Sequence, residues 1–122
     1  MTTSSSSRQH FETALAALVE KFARHHDEYM RPSYAEADVR SEFIDPLFEA
    51  LGWDVSNRAG RSPREREVIR EKGETSGRPD YSFQHEQSTV FYVEAKAPHV
   101  PLERADVVMQ AKSYAWPLGR SR

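Results

Sequence analysis

The chain has 122 residues, 38% hydrophobic and 30% charged, with a formal net charge of −2 and no cysteine. That length suits one domain with its own core. The absence of Cys excludes a disulfide framework, a thiolate zinc site and a cysteine nucleophile, and fits a reducing cytoplasm. No apolar run approaches the roughly 18 residues of a membrane span, and the polar start lacks the apolar stretch of a signal peptide.

Residues 1–7 read as a disordered polar tail. Ser6 with Gln9 makes a capping box, and Phe11, Leu15, Leu18 and Phe22 recur at helical spacing, so residues 8–29 read as one amphipathic helix. A second capping box, Ser33 to Glu36, follows Pro32. Val39, Phe43, Leu47 and Leu51 then repeat every four residues up to Gly52, a natural C′ stop. Pro46 inside this pattern predicts a kink or a split. Residues 55–63 read as loop and 66–71 (REVIRE) as a short strand. Tyr81–Phe83 and Thr89–Ala97 are two further strands, and a last helix runs from about Leu102 to Trp116, ended by Pro117. The order α, α, β, β, β, α predicts an α/β or α+β domain with a small sheet.

In the strand ending at Ala97, alternation puts Val90, Tyr92, Glu94 and Lys96 on one face. If the preceding strand pairs with it antiparallel, apolar matching sets Phe83 opposite Phe91 and Tyr81 opposite Val93, with Asp80 opposite Glu94. The residues between, Gln84–Ser88, are polar enough for a hairpin loop but contain no Gly. Two carboxylates at ~4 Å repel by about 1 kcal/mol in water and about 4 kcal/mol at an effective dielectric of 20. A bound Mg²⁺ reverses that sign, because hard cations seek carboxylate oxygens, and Lys96 could hold a water or stabilise charge developing on a phosphate. On spacing alone, a proton shared between the acids and a plain Lys–carboxylate pair at a sheet edge remain open.

Charge is unevenly spread. Residues 1–54 carry five Lys and Arg against ten Asp and Glu, and residues 55–122 carry twelve against nine. Within 58–72 lie Arg58, Arg61, Arg64, Arg66, Arg70 and Lys72. Such a stretch suits contact with a phosphate backbone, and it equally reads as a solvated loop and strand whose Arg and Glu residues pair with each other.

Arg78-Pro79-Asp80-Tyr81 followed by Val93-Glu94-Ala95-Lys96 resembles the Pro-Asp and Glu-x-Lys elements of the PD-(D/E)XK nucleases. Gln110 and Tyr114 are similar to the Gln-x-x-x-Tyr element of one branch, and Arg40 to Trp53 resembles the helix before the core. Four elements in this order, over residues 34–118, resemble the N-terminal nuclease domain of type I restriction motor subunits or of fused type IIG/IIL restriction–methylation enzymes. The resemblance implies a restriction-endonuclease-like core, a small mixed sheet flanked by helices, and a nuclease domain over 8–122 cut from a longer polypeptide.

It further implies a Mg²⁺-dependent endonuclease, with Mn²⁺ able to substitute, in which Asp80 and Glu94 are metal ligands and Lys96 is the catalytic lysine. In many members an acid from the preceding helix joins them; Glu42 is the matching position, and it also reads as an exposed helix residue. Gln110 and Tyr114, four apart, share a helix face that could touch the site or DNA; they also read as ordinary packing of Tyr114 beside a solvated Gln110. Arg64, Arg66, Arg70, Lys72, Arg78 and Tyr114 are the expected DNA contacts. The partners implied are double-stranded DNA and other domains or subunits supplying target recognition, methyl transfer or helicase action. A dimer would cut both strands; no membrane partner and a prokaryotic cytoplasmic setting are expected. The rival readings are a non-catalytic nuclease-like DNA-binding or assembly module, and an exonuclease or repair nuclease of the same superfamily.

Overall fold

In the computed structural model, which describes residues 2–71 and 79–101, contacts gather these residues into two units: those up to Trp53 with Lys96–Val100, and those of Asp54–Ala95 with Pro101. The first is helical. The second holds the sheet. Composition alone reads as one domain.

In the helical unit α1 spans Thr2–Arg24, so its first turns take in polar residues assigned to a tail from sequence. Helix extension is cheap once a nucleus exists, and serine is only mildly disfavoured. At His25 (φ −119°) the helix breaks, and α2 resumes over His26–Tyr29. The single helix expected over 8–29 is thus two. Tyr29 is buried and anchors an aromatic cluster: its ring stacks on Phe22 at 5.6 Å and meets Phe43 edge-on at 5.1 Å and Tyr34 at 4.8 Å. Of the predicted α1 stripe, Leu15 remains 39% exposed.

The next helix starts at α3, Glu36–Val39, with Ala35 as N-cap instead of Ser33. Ala35 offers no side-chain acceptor, so only half a capping box forms, the Asp38 carboxylate taking the Ala35 N–H at 3.1 Å. The pattern divides just ahead of Pro46, the split that a proline there predicts. A π turn over Arg40–Ile44 leads into α4, Asp45–Ala50, whose first turn contains Pro46, where a missing N–H costs little. The Asp45 N–H bonds to the Arg40 carbonyl. Gly52, at φ +107°, stops α4: its N–H bonds to Glu49 O at 3.0 Å and Trp53 N–H to Phe48 O at 3.1 Å, a Schellman motif.

In the sheet unit a 3₁₀ turn, Pro63–Glu65, precedes β1 (Val68–Arg70), β2 (Tyr81–His85) and β3 (Ser88–Val93), which form a three-stranded sheet in the order β1-β2-β3. Both pairings are antiparallel. The fold is a small α+β one; among the described residues no parallel pairing makes the sheet mixed. Phe83 faces Phe91 and Tyr81 faces Val93, the register that apolar matching predicts. The Phe83 and Phe91 rings stack at 4.5 Å. Val55, Val68, Tyr81 and Phe83 are each at most 2% exposed and form the core.

Two features of the hairpin differ from expectation. Its loop is only Glu86 and Gln87, both left-handed at φ 51° and 68°, the backbone of a type I′ turn built without glycine. Beyond it Gln84 pairs with Thr89 while Phe83 pairs with Phe91, so Val90 is an extra residue, a bulge left 50% exposed.

Candidate active site

The β2–β3 ladder ends at Tyr81 opposite Val93, which leaves Asp80 just before one strand and Glu94 just after the other, at the same end of the hairpin. Asp80 is buried, at 8% exposure. Its backbone carbonyl accepts the Glu71 N–H at 2.9 Å, prolonging the β1–β2 pairing by one residue. Its carboxylate Oδ2 accepts the Ala95 N–H at 2.8 Å. A charge-assisted bond of this kind is strong and fixes the carboxylate's orientation. Glu94 is half-buried, with Oε1 fully enclosed.

A loop organised by side chains leads into the sheet. The Asp54 carboxylate accepts the Arg58 N–H at 2.8 Å and the Ala59 N–H at 3.0 Å. These bonds, Ala59 foremost, then the cations Arg61 and Arg58, hold its carboxyl below the usual range against the opposing effect of burial. Asn57, left-handed at φ 61°, uses its amide as a backbone mimic, donating to Arg61 O at 2.9 Å and accepting from Arg61 N–H at 3.0 Å. Glu67 Oε1 accepts the Asp54 N–H at 2.9 Å, and its other oxygen lies 3.7 Å from Arg61 Nη2. One of the predicted Arg–Glu pairs therefore forms.

Of the basic residues expected at DNA, Arg64 is exposed on the 3₁₀ turn and Arg70 is exposed at the end of β1. Arg66 is half-buried and donates from Nε to Pro63 O at 3.1 Å. Lys72, Arg78, Gln110 and Tyr114, with the predicted last helix, lie outside the described residues.

In the helical unit, Glu42 sits on the π turn and accepts a short hydrogen bond from the Tyr34 hydroxyl. Burial first, and then the Glu42 carboxylate, push the Tyr34 phenol well above its ordinary range. Tyr29 is raised too, again mainly by burial, with Glu42 and Glu28 adding to it. Lys96 has a side chain only 18% exposed, and its Nζ lies 3.9 Å from Glu36 Oε2. Sequence reasoning used Glu36 only as a capping residue; neither helical period nor motif spacing signals its pairing with a lysine so distant in the chain.

Among the described residues no three His, Asp or Glu side chains gather at metal-holding spacing. The donors present near the hairpin end are two carboxylates, hard oxygen ligands of the kind Mg²⁺ takes while keeping several waters. Among the described residues no helix is long and apolar enough to cross a membrane.

Over 109 residues the chain is 35% identical to a type II restriction enzyme and methyltransferase of Escherichia coli, a match covering 84% of this chain and 11% of that protein. The chain is thus related in sequence to a restriction-system enzyme, and it spans only a small part of that relative's length. No family model matches, and no solved structure does.

Proposed function

We propose that this chain is a Mg²⁺-dependent DNA endonuclease domain of the PD-(D/E)XK type, the cutting part of a restriction enzyme whose other domains supply target recognition and methyl transfer. The observation that carries the reading is the β2–β3 register, because Tyr81 opposite Val93 leaves the two motif carboxylates, Asp80 and Glu94, at one end of one hairpin. A purely structural sheet gains nothing from two neighbouring acids there. The relation to a restriction enzyme and methyltransferase supports the same reading.

The donor set fits a hard cation. Asp80 and Glu94 would hold Mg²⁺ or Mn²⁺, which when bound supplies Lewis acidity to a phosphoryl oxygen and lowers the pKa of a coordinated water. The chain's own contributions are distinct. The Ala95 N–H keeps the Asp80 carboxylate oriented before any ligand arrives, so little reorganisation accompanies binding. Lys96 holds the attacking water or offsets charge growing on the scissile phosphate. Glu42 and Gln110 take assisting roles, and Arg64, Arg66, Arg70, Lys72, Arg78 and Tyr114 contact DNA; these roles rest on the motif resemblance and on charge. No covalent intermediate is required.

The test is cleavage of DNA by the full-length protein with Mg²⁺. Asp80→Ala and Lys96→Ala should each lower the rate by roughly a hundredfold or more. Undiminished cutting by either variant overturns the assignment.

A further inference from the structure

We propose that Glu36 is the positioning residue of the catalytic lysine, an inference that rests on the nuclease reading above. An ammonium that is mostly withdrawn from water needs an opposing charge or acceptor close by. Lys96 is such a group, at 18% side-chain exposure, and the Glu36 carboxylate lies 3.9 Å from its Nζ. Glu42, the helical acid favoured by motif position, is engaged instead by the Tyr34 hydroxyl.

Both ends of the pair stand on fixed backbone. Glu36 opens α3, where the Asp38 carboxylate clamps the preceding Ala35 N–H at 3.1 Å. A carboxylate in the first turn also suits the helix dipole. Lys96 lies between Ala95 and Ala97, both buried, and a turn bonds Val100 N–H to Ala97 O at 3.0 Å. The mobile part is therefore the lysine's four-carbon stem, which is rich in rotamers when unrestrained. A fixed carboxylate at its tip narrows those rotamers and aims the ammonium. Glu36 need not touch DNA or metal to do this.

In the full-length protein, kcat and KM for DNA cleavage are compared for wild type, Glu36→Gln, Glu36→Asp and Lys96→Met, with Mn²⁺ affinity by calorimetry and the thermal midpoint of each. Glu36→Gln, nearly isosteric, should lower kcat about tenfold, as loss of an orienting partner does. KM and Mn²⁺ affinity should stay at wild-type values, and the thermal midpoint should fall by only a few degrees. Glu36→Asp, keeping the charge, should restore most of the lost rate. Wild-type kcat in Glu36→Gln overturns the inference, as does a fall in Mn²⁺ affinity, which would make Glu36 a metal ligand. Inactivity of wild type, or full activity of Lys96→Met, overturns the nuclease reading itself, whereas an inactive Lys96→Met beside a fully active Glu36→Gln overturns only the role of Glu36.

Discussion

The sheet unit and the helical unit are held together differently. In the first, Tyr81 and Phe83 are fully buried and Val55 and Val68 nearly so; backbone pairing continues past the strand ends from the Glu71 N–H to the Asp80 carbonyl, and the Asp80 carboxylate accepts the Ala95 N–H. In the second, only Tyr29, Val39 and Ala97 count as buried among the described residues, while Val19 and Leu51 remain 60% and 50% exposed. Stacked and edge-on rings hold it, with Lys21 Nζ 4.8 Å from the Phe43 ring centre. The contrast suits the proposed chemistry. Metal ligands need a rigid frame with locked rotamers, and the sheet core provides one.

Truncating one aromatic in each unit is the severest way to break this comparison. Phe83→Ala removes a fully buried ring and should cost about 3–5 kcal/mol. Phe22→Ala, at a half-buried ring, should cost roughly 1–2 kcal/mol. Denaturant titration followed by probes in both units measures each; equal losses would erase the distinction.

Backbone strain gives a smaller effect with opposite signs in the two units. Gln87, left-handed at φ 68°, should accept glycine with a gain of about 1 kcal/mol. Gly52→Ala should lose about 1–2 kcal/mol from backbone strain at φ +107°, because the added methyl meets nothing within 4 Å. Matching signs in thermal unfolding of the two variants would refute the conformations assigned to those turns.

The smallest effect concerns acid stability. Asp54 titrates lower in the folded state than in the unfolded one, so in the window between the two values the unfolded state binds the extra proton. Its contribution is therefore complete above about pH 4, the unfolded carboxylate range, and fades as pH falls through the lower folded value. Subtracting the stability–pH curve of Asp54→Asn from that of wild type should leave a step in that window; a flat difference would mean the Asp54 loop clamp does not form.

Local signals were readable where chemistry and spacing alone constrain the chain. Gly52 stops its helix because few other residues tolerate positive φ, and apolar matching sets the hairpin register because a one-residue slip would turn the whole core outward. The Val90 bulge and the Glu86-Gln87 turn escaped because neither residue type advertises the conformation; the closing of the hairpin over its own core imposes both. Ser33 looked the better N-cap, yet Ala35 holds the position, since packing around Tyr29 and Tyr34 decides where the helix enters.

The sequence by itself determined the small α+β class, the strand pairing and the motif order Asp80, Glu94, Lys96, because hydrophobic period and residue type act locally along the chain. Only the tertiary structure decided which partners these groups take: Ala95 N–H for Asp80, Tyr34 for Glu42, and Glu36 for Lys96. One of those pairings, Glu36 with Lys96, joins segments distant in the chain, Tyr34 reaches Glu42 across eight residues, and the third needs the ladder to end at Val93. Such contacts follow from how elements come to rest in space, which no period or spacing encodes.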